Sequence, residues 1–440
     1  MVMEQSAVVT LATEVLLPQM TQERSALDRI DKWMRWDPDE VEVPKTARQE
    51  KKYLAKLSET PWLMLVVNTL AQQLIAETIR SSEVEDTNPI WGPWVRNRMQ
   101  SRQRAIHKAA CGYGYAYTSV MPGDSGAVIR GYSPREMFAV YQDPVVDEYP
   151  MYAIRKRGDH YIVIDEEARY TLGMENGRLT YITHDVHGVG VAPIVRFSNE
   201  IDLEGRTPGE VEPYIGVAKR ANQTTNDRML VQHHNSWKVR TATGLDAGDK
   251  TPGEKAQEKL RLSQEDILVG EDGVQFGTLD ETSVEPLTKA AEADVGTLAA
   301  VSQTPAHALT GNMINLSADA ITEARAMLDN KAGQRKLAFG DSHAQSLRLA
   351  AHIEGRERDA ADFTLQMQWA DLESRSMAQA ADALGKMATM LGIPPEMLWD
   401  RIPTVTAQEA GQWRTYKQNN PSPELVLADT LRRQSNGVDG

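Results

Sequence analysis

Between Thr282 and Gly355 two helical patterns are interrupted by a short segment that suits neither a helix nor a buried core, and any fold for this chain must accommodate it. Upstream, Val284, Leu287, Ala291, Val295 and Leu298 recur at spacings of three and four, which puts them on one stripe of a helix. The pattern stops at Thr304-Pro305, because proline removes a backbone donor and pushes its predecessor toward extended conformations. Ala306 to Leu316, with Gly311, Asn312 and Asn315, is therefore expected to be a loop. Ser317 then reads as an N-cap, and Ile321, Ala324, Leu328 and Ala332 restart a helical period that runs through Phe339, Leu347 and Ile353. A helix over 318–353 is about 54 Å long at about 1.5 Å per residue, and Gly333 and Gly340 favour a bend in it.

The rest of the chain divides by period. Apolar spacing predicts helices over 7–36, 46–58 and 61–75, and another from Trp94 to Ala110 after the Asn88-Pro89 and Gly92-Pro93 breaks. That last helix carries Arg96, Arg98, Arg102, Arg104 and Lys108, with no acid from Ile90 to Gly123. It is either a solvated face or a contact with phosphate or an acidic neighbouring chain. From 112 to 198 the period becomes two: strands are expected at 151–157, 160–165, 169–173 and 178–183, with a hairpin at Asn176-Gly177 and a further strand over 193–197. A polar helix follows over 210–237. Next comes a glycine-punctuated lobe, 239–283, with a short helix near 253–262 and strand-like pieces at 266–269 and 273–276. Beyond the long helix lie a strand near 363–369, helices over 374–391 and 405–417, and a polar tail from Asn419.

Composition excludes several classes. An apolar share of 41% and a charged share of 25% over 440 residues describe a folded soluble chain. No run of about 18 uncharged apolar residues occurs, and no signal peptide is expected with Glu4 so early. Cys111 is the single cysteine, which rules out an internal disulfide framework and a multi-cysteine zinc site. The formal charge of −14, from 48 basic against 62 acidic residues, opposes gripping nucleic acid by the whole surface, though not letting it slide past.

No catalytic constellation emerges. Gly248 to Gly253 has the glycine spacing of a phosphate loop, but Glu254 stands where the lysine belongs. Gly112-Tyr-Gly114 and Gly188-Val-Gly190 lack the third glycine of a dinucleotide fingerprint and read as turns. His184-Asp185-Val186-His187 offers two imidazoles and a carboxylate, yet on a strand 184 and 187 point to opposite faces, so only a turn would join them on a metal. The adjacent His233 and His234 diverge by about 100° on a helix. No cofactor is expected.

Three motifs in order, Ala110-Cys-Gly-Tyr-Gly-Tyr-Ala-Tyr-Thr-Ser-Val120, Tyr132-Ser-Pro-Arg-Glu-Met-Phe-Ala-Val-Tyr-Gln-Asp-Pro144 and His187-Gly-Val-Gly-Val-Ala-Pro-Ile-Val-Arg-Phe-Ser-Asn199, precede the helix, lobe, helix, loop and long helix beginning Leu316-Ser-Ala-Asp-Ala-Ile321. This succession resembles the portal proteins of tailed double-stranded-DNA bacteriophages, of the siphophage type. The resemblance implies an α+β portal fold: a wing over 1–205 (helical 1–110, β-rich 111–205), a first stem helix over 206–238, a clip over 239–283 and a second stem helix over 284–304. It further implies a tunnel loop over 305–318, a long wing helix and returning strand over 319–372, and a short helical crown with the C-terminal tail over 373–440. Such proteins are not enzymes. They form a dodecameric ring at one capsid vertex of the virion and are assembled in the host cytoplasm. They pass DNA during packaging and ejection and meet the terminase large subunit, the head-tail adaptor, the major capsid protein and scaffold, but no membrane.

By that resemblance His307, Gly311, Asn312, Met313, Ile314 and Asn315 are expected to face DNA from the tunnel loop, and Glu285, Lys289, Glu292 and Asp294 to line the channel. Repeated negative charge around a ring keeps phosphates from sticking, the alternative being that these acids merely solvate an ordinary helix, while the small residues Ala290, Ala291, Ala293, Gly296, Ala299 and Ala300 allow close helix approach. The rivals are another virion structural protein, such as a minor head component, and a metal-dependent hydrolase using His184, Asp185 and His187.

Overall fold

The computed structural model describes residues 2–83, 88–236, 240–243, 275–278, 282–311, 318–370, 377–402, 405 and 407–420. The chain opens with α1 (Gln5–Leu11), a π-helical turn (Ala12–Leu16) and α2 (Leu17–Met34), then α3 (Gln49–Ser58) and α4 (Trp62–Ala71). Strand β1 (Ala76–Arg80) leads to α5 (Asn88–Arg96) and α6 (Met99–Tyr113). A run of strands follows: β2 (Tyr115–Met121), β3 (Val128–Tyr132), β4 (Met137–Val140), β5 (Tyr152–Arg157), β6 (His160–Ile164), β7 (Ala168–Glu175), β8 (Arg178–Val186) and β9 (Ile194–Ser198). Then come α7 (Ile215–Ser236), the paired strands β10 (Arg240–Thr243) and β11 (Gln275–Thr278), α8 (Glu285–Val301), α9 (Ala306–Thr310) and α10 (Ala318–Ile353). The described chain ends with α11 (Glu357–Ala360), β12 (Gln366–Trp369), α12 (Met377–Met390) and α13 (Ala407–Asn419). Among the described residues no helix is long and apolar enough to cross a membrane.

Two compact units result: Met1–Glu23 with Leu70–Thr207 and Asp329–Gly440, and Arg24–Thr69 with Pro208–Leu328. In the second unit 24–69 pack with 208–328, where Thr60 N–H donates to Asn222 Oδ1 at 3.2 Å and Lys219 pairs with Glu42 at 2.7 Å.

In the first unit the antiparallel sheet β4-β5-β6-β7-β8 buries apolar side chains on both faces of its middle strands, successive residues pointing to opposite sides. Ile154, Tyr161, Val163, Tyr170 and Leu172 take one face and pack on Val8, Ala12, Leu16 and Met20 of the N-terminal helices. Ala153, Ile162 and Ile164 take the other, against Met137, Tyr117 and Ile194, so that face meets the sheet β3-β2-β9. Asn176 and Gly177 both have positive φ in the β7–β8 hairpin, the left-handed geometry expected of that turn.

The far side of the small sheet is covered by α6 and α10. His107 Nδ1 lies 3.0 Å from the Leu74 carbonyl and Nε2 lies 2.8 Å from His343 Nε2, both rings being buried. A carbonyl only accepts, so His107 carries its proton on Nδ1 and takes a hydrogen bond from His343 Nε2–H. Phe339 stacks on His107 at 5.1 Å, and Trp94 and Phe197 meet His343 edge-on at 4.9 and 4.7 Å. Burial holds the His107 imidazole down to about 4 and pushes His343 well below its ordinary value.

Three expectations need correction. The predicted helix over 61–75 ends at Ala71, because Ala76 opens β1, which pairs with β12, and the Gln103 amide satisfies both Ala76 N–H (2.8 Å) and Ala76 C=O (3.0 Å). The breaks placed at Asn88-Pro89 and Gly92-Pro93 are instead α5: Pro89 sits in the first turn, where its missing donor costs nothing, and burial of Ile90 and Trp94 outweighs the bond lost at Pro93. Ala306–Thr310, expected as loop, is the helix α9, started by Pro305, anchored by buried Leu309 and closed by Gly311 at φ +72°. The expected 318–353 helix is present and continues through Gly333 and Gly340. The predicted pieces 253–262 and 266–269 lie outside the described residues, as does the phosphate-loop-like Gly248–Gly253.

The histidine pair predicts a pH dependence. Both rings stay neutral when folded, whereas each binds a proton below its usual 6.5 when unfolded. Their stabilisation is whole above the unfolded value and is lost as pH falls from there toward the depressed folded values, by up to about 1.4 kcal/mol per pH unit for each ring. Urea midpoints should therefore drop between about pH 7 and pH 5, and His343→Gln should make that decline shallower. A midpoint constant over this interval would show that the pair does not titrate with unfolding.

Candidate functional site

In the second unit α7 and α8 lie side by side. Small and apolar residues permit this: Ile215, Ala218 and Ala221 are buried on α7, and Val295, Leu298 and Ala299 on α8. Arg220 Nε pairs with Asp294 Oδ1 at 2.7 Å, and Thr224 Oγ1 donates to Asp294 Oδ2 at 2.8 Å. Near the far end Asn235 Nδ2 donates to the Thr282 carbonyl at 2.8 Å. On α7, Thr225 donates its hydroxyl to the Ala221 carbonyl one turn back, which keeps a polar side chain satisfied in a helix with little apolar stripe.

The residues expected to act as a charged row on α8 divide. Glu285, Lys289 and Glu292 share the exposed side with Ala293, Gly296 and Ala300. Lys289 also pairs with Glu285 at 2.7 Å one turn away. Asp294 does not belong with them: it faces α7 and is neutralised by Arg220, because position 294 falls between Ala291 and Leu298 on the inward stripe. The open face therefore carries two carboxylates and one ammonium.

Of the loop residues, His307 is half-buried on α9 and Gly311 is its left-handed cap. Asn312, Met313, Ile314 and Asn315 lie outside the described residues. Before α9 the chain reverses through Gln303 at φ +54°, and the Thr304 N–H returns to the Ala299 carbonyl at 3.0 Å.

The basic run 96–108 is dispersed. Arg98, at φ +53°, separates α5 from α6. Arg96 is ion-paired with Glu354, Arg104 is exposed, and Lys108 is half-buried. Arg102 joins instead a groove of about 900 Å³ with Arg130, Arg155, Lys156 and Arg157, residues that sequence reasoning did not single out. The Arg155-Lys156-Arg157 run was the available signal, but only the sheets bring it beside Arg102.

The histidine cluster is occupied within the chain. His187 Nε2 lies 3.0 Å from the Asp165 carbonyl, and its Nδ1 accepts from Val189 N–H at 3.2 Å, so both nitrogens hold the turn after β8. Burial lowers its pKa. His184 Nδ1 meets the Tyr181 hydroxyl at 2.5 Å, and Asp185 pairs with Arg169 at 2.7 Å. Among the described residues no three His, Cys, Asp or Glu side chains converge as metal ligands. Asp165 itself accepts from Glu167 N–H, Ala168 N–H and the Tyr170 hydroxyl, a structural cap for the β6–β7 turn. Cys111 is buried and His233 pairs with Glu50 at 2.5 Å.

A family model described as phage portal protein, SPP1 Gp6-like, matches residues 16–422. No curated protein matches the chain significantly. Among solved structures, one from the virion of a native gene transfer agent particle is similar at 12% identity and a TM-score of 0.49, over 83% of this chain and 99% of its own. Another, from the neck of the native particle computed with C12 symmetry, aligns at 14% identity and a TM-score of 0.42, over 80% and 96%.

The inward and outward positions on α8 should separate by mutation. Asp294→Asn removes an ion pair and weakens the Thr224 hydrogen bond, a loss of about 1 kcal/mol, while Glu292→Gln should stay within about 0.5 kcal/mol of the parent. Urea unfolding of both variants, with Arg220→Gln to complete a double-mutant cycle, measures the difference. Equal effects at 292 and 294 would contradict this orientation of α8.

Proposed function

The chain belongs to the portal family described as SPP1 Gp6-like, and from that premise we propose that it assembles as a closed ring of twelve copies around a channel for double-stranded DNA. In this reading 1–205 and 319–372 form the wing, 206–238 and 284–304 the stem, 239–283 the clip, 305–318 the tunnel loop and 373–440 the crown and tail. The ring sits at the capsid vertex of a virion, having been assembled in the host cytoplasm. There it takes DNA from the terminase large subunit, meets major capsid protein and scaffold, and later holds the head-tail adaptor. It performs no catalytic step and binds no cofactor.

Beyond family membership, the exposed face of α8 supports this reading. Glu285 and Glu292 outnumber Lys289 there, and the small residues Ala293, Gly296 and Ala300 leave the helix smooth. Repeated around a ring, such a surface repels phosphate weakly and offers no fork of donors to grip it. A conduit needs low affinity at every register, the opposite of a sequence reader. The antiparallel β10–β11 pair, Arg240 opposite Thr278, is consistent with reading 239–283 as one lobe.

Electron microscopy of the purified protein should show rings with a central hole. Light scattering that finds only monomer or dimer at micromolar concentration, with and without magnesium and salt, would overturn the reading. In rings carrying Glu285→Lys with Glu292→Lys, DNA should be retained in a salt-sensitive manner and packaging should slow, since each subunit then presents a row of lysines to the phosphates.

A further inference from the structure

The groove on the first unit carries charge that the chain does not neutralise. Arg102 of α6, Arg130 of β3 and Arg155, Lys156 and Arg157 of β5 surround it, and Glu136 is the carboxylate among its lining residues. A second hollow of about 290 Å³ shares Arg130, Tyr132, Arg155 and Arg157 as its wall. Arg155 is held in place by the Tyr132 hydroxyl at 2.6 Å and lies 4.9 Å from the centre of its ring. Among the described residues Arg102, Arg130 and Arg157 have no ion-pair partner. Apolar residues also line it, Ala105 and Ala109 at the surface and Ile106 buried beneath them. Gly131 belongs to the construction, because a Cβ there would lie 2.7 Å from Ile106 Cγ1 and would force β3 away from α6. In a chain of formal charge −14, a cationic groove with a partly apolar lining fits an occupant that is both acidic and apolar.

The same unit presents that chemistry elsewhere. The loop Asp143-Pro-Val-Val-Asp-Glu148 between β4 and β5 exposes Val146 by 76% and Val145 by 38%. Its ends are fastened: Arg196 donates to the Pro144 carbonyl and lies 4.5 Å over Tyr141, while Arg348 and Gln345 hold Glu148. Among the described residues the two aspartates accept only from the loop's own backbone, Asp147 Oδ2 from Asp143 N–H at 2.7 Å and Asp143 Oδ1 from Val145 N–H at 2.9 Å, and neither meets a cation. Several other acidic loop residues differ in this respect. Asp202 and Glu204 pair with Arg206, Glu200 with Arg335, and Asp37 with Lys56. None of 143–148 lines the groove of its own chain.

We propose that the groove receives the 143–148 loop of a second copy of this chain. Val145 and Val146 cover Ala105 and Ala109, while Asp143 and Asp147 face Arg130 and Arg157 in charge-assisted hydrogen bonds. One patch meeting a different patch is a heterologous contact, which closes into a ring when the rotation allows. The inference rests on the ring reading and gives it a specific joint. A nucleic-acid backbone is the less suitable occupant, because phosphates gain nothing from the alanines of the lining and leave the exposed valines uncovered.

The test uses the full chain with Cys111→Ala and the pair Ala105→Cys with Val146→Cys. Mild oxidation should give a ladder of disulfide-linked multimers on non-reducing gels, absent from either single variant. Arg130→Glu with Arg157→Glu should raise the concentration needed for assembly at least tenfold, and adding Asp143→Lys with Asp147→Lys should restore it; circular dichroism verifies folding, with Arg130→Gln and Arg157→Gln as the milder pair. Rings by electron microscopy without a ladder, and with assembly unchanged by the charge variants, overturn this joint and leave the ring reading standing. Rings that persist in Arg130→Glu with Arg157→Glu while losing salt-dependent binding of a duplex oligonucleotide also overturn it, and assign the groove to nucleic acid. A parent protein that is monomeric at every concentration overturns both.

Discussion

The first unit depends on a hydrogen bond between two neutral imidazoles. His107 belongs to α6 and His343 to α10, and the Leu74 carbonyl that fixes the tautomer of His107 lies between α4 and β1. One buried contact thus ties together segments more than two hundred residues apart, and the surrounding Trp94, Phe197 and Phe339 keep water from competing for it. A charged ring here would face a second ring and an aromatic wall instead of solvent, so the arrangement is stable only while both stay neutral. It also sets where α6 lies, and therefore where Ile106 meets Gly131 and where Arg102 stands beside the two sheets.

The second unit is held differently. Its helices α7 and α8 have few large apolar side chains facing each other and rely on small residues with side-chain hydrogen bonds, of which Arg220–Asp294–Thr224 is the central group. Close approach of small residues gives good dispersion contact with little hydrophobic burial, and a partly buried ion pair adds registry more than net stability. Helices of this kind keep their outward faces free of bulky apolar groups, a requirement for any surface along which another molecule must move.

Much of this was legible in the sequence, and the exceptions have physical causes. The sheets between 112 and 198 announced themselves through alternation and through Asn176-Gly177, and the long helix through a helical period that recurs despite Gly333 and Gly340. Strand β1 did not, because it exists by pairing with β12 across the chain and by the Gln103 side chain, neither of which leaves a local pattern. In α5 the two prolines are loud local signals overruled by burial of Ile90 and Trp94, and in α9 a proline that ends one helix also begins the next. The inward turn of Asp294 was readable, since 291, 294 and 298 share a helical face, but charge drew it to the outer row. The basic groove was readable only in its Arg155-Lys156-Arg157 part: its cations come from three elements joined by tertiary structure, and the conspicuous run at 96–108 turns its members in different directions.

Net charge is the weakest guide of all in a chain like this, because what matters is where each sign is left unpaired. Acids near 37–42 and 200–204 are largely matched by Lys56, Lys219, Arg206 and Arg335 within the fold, so they contribute to the total of −14 without presenting a field of their own. Among the described residues two unmatched sets stand apart: the carboxylates of Asp143 and Asp147 in the 143–148 loop, and the guanidiniums of Arg102, Arg130 and Arg157 in the groove of α6, β3 and β5. A monomer gains nothing from such segregation, since each patch raises its own electrostatic energy while the opposite sign stays out of reach. In the proposed heterologous assembly each basic groove has an acidic loop available on the next copy, which would relieve that energy.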